Sequence, residues 1–116
     1  MIYHLALASD WEAAVEAGEY RVSTLGRTLA QEGFVHASTS SQVRDVADTY
    51  YAGVRDQLVL LTIDERRLTV PLLWDAVEGS PEPFPHLYGP LDVSAVVLAT
   101  PLLRDGTGRL EIPALP

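Results

Sequence analysis

The stretch Gly33-Phe34-Val35-His36-Ala37-Ser38-Thr39 decides how this chain of 116 residues is read. Gly33 closes a polar run, Phe34 to Ala37 can lie extended, and Thr39 followed three residues later by Gln42 has the form of a capping box. The stretch therefore predicts a short strand that runs into a helix start. Side chains two apart on a strand share a face, which puts His36 and Ser38 on one side. Free backbone N–H groups at a helix start favour anions, so the junction is a place for a ligand. The other two histidines keep similar company: His4 follows Tyr3, and His86 precedes Leu87-Tyr88-Gly89.

Downstream, Val43, Val46, Ala47, Tyr50 and Val54 recur at helical spacing and predict an amphipathic helix over residues 41–54, ended by Gly53. The apolar run Leu58 to Ile63 reads as a buried strand, and residues 64–67 as a polar turn. A strand over residues 70–77 contains Pro71, which predicts an edge position or an offset start. Residues 78–85 carry Gly79, Pro81, Pro83 and Pro85, a stiff loop that delivers the His86 motif. Strands are expected over residues 93–99 and, after the Asp105-Gly106 turn, over 109–112.

Upstream, Ile2 to Ala6 predicts a central strand, because both of its faces are apolar. Ser9 with Glu12 suggests a capping box for a helix over residues 10–17, with Trp11, Ala14 and Val15 as its apolar stripe and Gly18 as its end. Residues 19–32 read mostly as loop, with a short strand near Tyr20 to Val22 and a helical turn near Leu29. Two main helices in the first half and a strand-rich second half predict an α+β fold: one domain over residues 1–116, a mixed or antiparallel sheet, and helices packed near one side.

Composition narrows the function. With 47% hydrophobic and 21% charged residues the chain is typical of a globular domain, and no apolar run is long enough to span a bilayer. The start Met1-Ile2-Tyr3-His4-Leu5 has no basic region before an apolar stretch, so no signal peptide is expected and a cytoplasmic location is the default. There is no cysteine, hence no disulfide and no thiolate chemistry. The net charge is −8 and all eight basic residues are scattered arginines, which disfavours nucleic acid as a partner. Oligomeric state is not addressed by the sequence.

His4, His36 and His86 come from separate expected strands and can converge on one cleft. Three histidines can hold a metal, but neither a paired spacing nor a nearby carboxylate is visible, so no metal is assigned. Ser38 lacks a nucleophile elbow and is not assigned as a nucleophile. Tyr88, between His86 and Gly89, offers a stacking ring where glycine would let the backbone approach a ligand.

The motifs Tyr3-His4, Gly33 to Thr39 and His86-Leu87-Tyr88-Gly89-Pro90-Leu91, in this order over nearly the whole chain, resemble the bacterial family called domain of unknown function 952. Members commonly carry cysteine where this chain has Ala37, so cysteine chemistry there is not indispensable. That family is similar in fold to the ADP-ribosyltransferases, which implies a split α+β sheet with an NAD cleft. By motif position His4 would match the residue that holds the nicotinamide ribose, Ser38 the one near the nicotinamide, and Tyr50 or Tyr51 a stacking ring. The transferase glutamate has no counterpart in the His86 motif; the nearest carboxylates are Glu78 and Glu82. Related RNA-repair phosphotransferases use several arginines, which this acidic chain does not gather.

The expectation is thus an ADP-ribosyltransferase-like cleft that binds a nucleotide-like, NAD-related or other small ligand. His4, His36, Ser38 and His86 would hydrogen-bond it and Tyr88 would stack on it. One alternative is NAD cleavage or ADP-ribosyl transfer, with Glu78 or Glu82 as the catalytic anion. The other is a protein-interaction module with a vestigial cleft.

Overall fold

The computed structural model describes residues 1–115. In chain order the elements are β1 (Ile2–Leu7), α1 (Ala8–Ala17), β2 (Glu19–Tyr20), β3 (Val22–Thr24), β4 (Arg27–Thr28), α2 (Leu29–Glu32), β5 (Val35–His36), α3 (Val43–Tyr50), β6 (Leu58–Ile63), β7 (Leu72–Asp75), β8 (Phe84–Leu87), β9 (Leu91–Asp92) and β10 (Val96–Pro101). Single 3₁₀ turns cover Glu65–Arg67 and Val93–Ala95. The fold is α+β, with three helices where two were expected, and its strand pairings are antiparallel.

The two most apolar runs make the frame. β6 lies between β1 and β10 in a three-stranded sheet, and a strand covered on both faces must be apolar throughout. Residues Ile2, Ala6, Val59, Leu61 and Ile63 feed one core cluster; Tyr3, Leu5, Leu58 and Leu60 feed the other. α1 packs on the first face through Ala14 and Trp11, and α3 on the opposite face through Val43, Val46 and Ala47. The helices therefore sit on both sides of this sheet. Within this sheet β6 is the middle strand; β1, expected to be central, has β6 along one edge and a bridge to Ser38 on the other.

A second sheet runs β5-β8-β7, with Val35 and Leu87 fully buried in the first core cluster. β7 is its edge and begins at Leu72, so Pro71 marks both an edge strand and an offset start. Pro85 lies inside β8, in the middle of the sheet, and this has a consequence for β5. Residues facing each other on an antiparallel ladder exchange two bonds, but Pro85 can only accept, from Ala37 N–H at 3.0 Å, and cannot donate in return. The ladder stops there. Ser38 turns to β1, where Tyr3 and Ser38 exchange both backbone bonds at 2.8 Å. That bridge is the seam between the two sheets.

Several boundaries differ from the sequence reading. α1 starts at Ala8 without a side-chain cap, because Ala8 N–H donates to Gln57 C=O at 2.9 Å; Ser9 and Glu12 form no box, and Val15 is exposed. α3 is shorter than residues 41–54, since residues 40–42 form a turn and Tyr51 ends the helix. Gln42 does reach back to Thr39 N–H (2.9 Å), which is half of the expected box. The supposed loop at residues 19–32 holds β2, β3, β4 and α2, the last with a complete Thr28/Gln31 capping box. Val93–Ala95 is a 3₁₀ turn capped by Asp92 rather than strand. The last expected strand is reduced to a bridge between Arg104 and Leu110.

Candidate functional site

Alternation on the second sheet builds the site. Val35 and Leu87 point to the core, so their neighbours His36 and His86, paired directly across β5 and β8, take the other face. Phe34, Phe84 and Tyr88 share that parity. The Phe34 ring stacks on His86 with centroids 3.9 Å apart, and Phe84 lies 4.9 Å from the His36 ring. Across β7 and β8, Leu73 faces His86 and Asp75 faces Phe84, which makes Asp75 the diagonal neighbour of His86.

These groups form a hydrogen-bonded relay. The Asp75 carboxylate can only accept, so the Nδ1 of His86, 2.7 Å from it, carries a proton. In the neutral ring His86 Nε2 is then an acceptor. His36 Nδ1–H donates to it at 3.0 Å, which leaves His36 Nε2 with a free lone pair. Among the described residues nothing bonds this atom, and the Ser23 hydroxyl is the buried polar side-chain atom found without a partner. His36 is half-buried and ends the relay with this nitrogen unbonded. The Tyr88 hydroxyl donates to the same Asp75 oxygen, and the bonds from Tyr88 and His86 hold the Asp75 carboxyl below the usual carboxylate range. Burial, reinforced by the neighbouring His86 and His4, pushes His36 down to about 4. At neutral pH it is an uncharged acceptor.

His4 is a different kind of residue. Its Nδ1–H donates to the His36 carbonyl at 2.5 Å and its Nε2 accepts from the Tyr20 hydroxyl at 2.9 Å. Both nitrogens are used, the ring is buried, and burial lowers its pKa to about 4. It has nothing left for a ligand; it fixes the backbone that carries His36. Ser38 works through its N–H and C=O at the seam, and no described residue bonds its hydroxyl.

The structure thus brings His36, His86 and Tyr88 together, places His4 behind them as a support, and leaves Ser38 to the backbone. Gly89 has φ +155, and a Cβ there would meet Val70 Cγ1 at 2.5 Å, so what approaches its backbone is Val70 and not a ligand. Tyr51 is buried, with its hydroxyl on Leu5 C=O at 3.3 Å; Tyr50 is exposed. Glu78 and Glu82 line grooves beside α3, while the carboxylate on the histidines is Asp75, which the sequence reading passed over. The available signal was its setting, a lone acid on a strand of Leu and Trp. Among the described residues no group of three histidine or acidic side chains is arranged to hold a metal ion, and no helix is long and apolar enough to cross a membrane.

The family model described as "Protein of unknown function (DUF952)" matches residues 5–99. The chain belongs to this family. Within the DUF952 match lie His36, Asp75, His86 and Tyr88, the whole of the relay. An X-ray crystal structure of protein CC0527 from Caulobacter crescentus is 33% identical, with 95% of this chain and 92% of that chain covered and a TM-score of 0.81. The solution NMR structure of CC0527 is 34% identical, with coverages of 92% and 88% and a TM-score of 0.75. No curated relative matches the chain.

Proposed function

We propose that this DUF952 protein binds a small planar ligand on the outer face of its second sheet, with His36 Nε2 accepting a hydrogen bond from it. The observation that carries this reading is the relay itself: one carboxylate, Asp75, and two imidazoles, His86 and His36, are aligned through fixed donors and acceptors toward one free lone pair. Phe34 and Tyr88, with ring centroids 5.7 Å apart, supply π-faces beside it. The resemblance to ADP-ribosyltransferases makes NAD-related nucleotides the first ligands to try, and two antiparallel sheets meeting at one seam suit that kinship. None of the relay residues is an arginine, so the fitting partner is an N–H on the base or nicotinamide amide and not the diphosphate.

A ring with its pKa near 4 is a weak proton abstractor at pH 7, which favours binding over base catalysis. The test is a thermal-shift screen against NAD, ADP-ribose and nicotinamide, repeated with His36→Gln. A rise in melting temperature that disappears in the variant supports the reading. No shift at millimolar ligand, or an equal shift in the variant, overturns it.

One observation favours an enzymatic second reading. Breaking the nicotinamide–ribose bond develops positive charge on the sugar, which a fixed anion stabilises, and Asp75 is an anion on the same face. If the chain cleaves NAD, nicotinamide release is lost in Asp75→Asn and kept in Glu78→Gln and Glu82→Gln. Loss in the two glutamate variants alone would return the anion to the loop.

A further inference from the structure

Beside the histidines, on the far side of Phe84, α3 and the loop after β7 flank a groove of about 290 Å³. Val46, Tyr50, Val77, Pro81 and Phe84 give it an apolar lining; Asp45, Glu78, Thr49, Ser80 and Gly79 complete it. A smaller recess of about 160 Å³ continues it past Phe84 and adds Glu82, Ser41 and Gln42. No basic residue lines either part. Seven of the eight arginines are engaged elsewhere, on Glu19, Glu32, Asp48, Asp64 or on backbone carbonyls. The eighth, Arg55, lines a different depression with Arg104.

We propose that this groove docks a basic peptide segment of a partner protein, one arginine or lysine side chain lying along it. Its aliphatic stem would cover Phe84 and Val46 while its head meets Asp45 and Glu78. Three features argue for that occupant. The volume suits one long side chain and not a folded element. The lining joins apolar surface to carboxylates of one sign, which complements the amphipathic stem and head of Arg or Lys. Tyr50, a large aromatic left 57% exposed on the helix that forms one wall, offers the π-face that a guanidinium seeks. An anionic or neutral apolar ligand would satisfy only one of these.

The test uses a capped Gly-Arg-Gly peptide and its citrulline counterpart, titrated into the full chain and followed by backbone amide shifts. The arginine peptide is expected to move the amides of Thr49, Tyr50, Gly79 and Ser80, with an affinity at least tenfold above that of the neutral peptide and falling as salt rises. Asp45→Asn with Glu78→Gln should weaken it about tenfold, and Tyr50→Leu severalfold, while His36→Gln leaves it unchanged. Equal binding of the two peptides, shifts confined to the histidine face, or no shift at millimolar arginine peptide would overturn the proposal. The last of these leaves the reading of His36 untouched, because that reading rests on a different ligand and on an atom, His36 Nε2, that does not line the groove.

Discussion

His4 and Tyr20 show how much one buried pair controls at the scale of the residue. The Tyr20 hydroxyl supplies the proton that His4 Nε2 accepts, and both side chains are buried. Tyr20→Phe keeps the ring and removes the donor, so a buried acceptor is stranded at a cost of about 1–3 kcal/mol. Urea unfolding should show that loss, and the His36 imidazole resonances should move, since His4 holds the His36 carbonyl. A pH dependence follows as well. Burial sets the His4 and His36 pKa values near 4 in the folded protein, against about 6.5 in the unfolded chain. Between these values the unfolded state binds more protons, so stability is full above about pH 6.5 and is lost as pH falls toward 4. For the fully buried His4 the loss is on the order of 3 kcal/mol. Melting temperatures measured across pH 4 to 7 should fall steadily toward the acid end, and His36→Gln should flatten that slope.

Elements differ in how plainly the chain announces them. β6 was readable to the residue because a strand buried on both faces must be apolar at each position, and β7 was readable as an edge from Pro71. The site residues on β5 and β8 were partly readable too, since a period of two puts His36 and His86 on the face away from Val35 and Leu87. Asp75 was not, because its pairing depends on the β7–β8 register, which no local pattern states. Nor was the role of His4, which needs the position of Tyr20. The helix starts misled for a related reason: Ala8 finds its acceptor in Gln57, a tertiary partner, so no local cap was required. Gly89, next to Tyr88, is required by packing, because Val70 lies where a side chain would have to sit. Gly89→Ala combines a disfavoured φ with a 2.5 Å contact and should cost about 1–3 kcal/mol by chemical denaturation. Adding Val70→Ala should recover the steric part and leave the backbone part, a partial rescue that a purely conformational effect would not give.

The whole molecule depends on how its two three-stranded sheets are joined, and Ser38 is where that can be tested. Pro85 ends the ladder between β5 and β8, and the freed chain forms a two-bond bridge with Tyr3, itself wholly buried. Ser38→Pro removes one N–H and leaves the Tyr3 carbonyl without its donor in the interior, which costs about 1–3 kcal/mol for the stranded group before any strain from the ring. Ser38→Ala keeps both backbone bonds and removes a hydroxyl that no described residue bonds, so its stability should stay within about 0.5 kcal/mol. Hydrogen exchange separates the two effects. In Ser38→Pro the Tyr3 amide should lose protection while β6, held between β1 and β10, keeps it, because the sheets come apart at the seam before either melts. The same pair of variants measures what Ser38 does for a ligand. If its contribution is the seam alone, nucleotide affinity survives Ser38→Ala and falls in Ser38→Pro together with the placement of His36. A loss of affinity in Ser38→Ala with unchanged stability would instead give the hydroxyl a direct contact and move the binding surface across the seam toward β1.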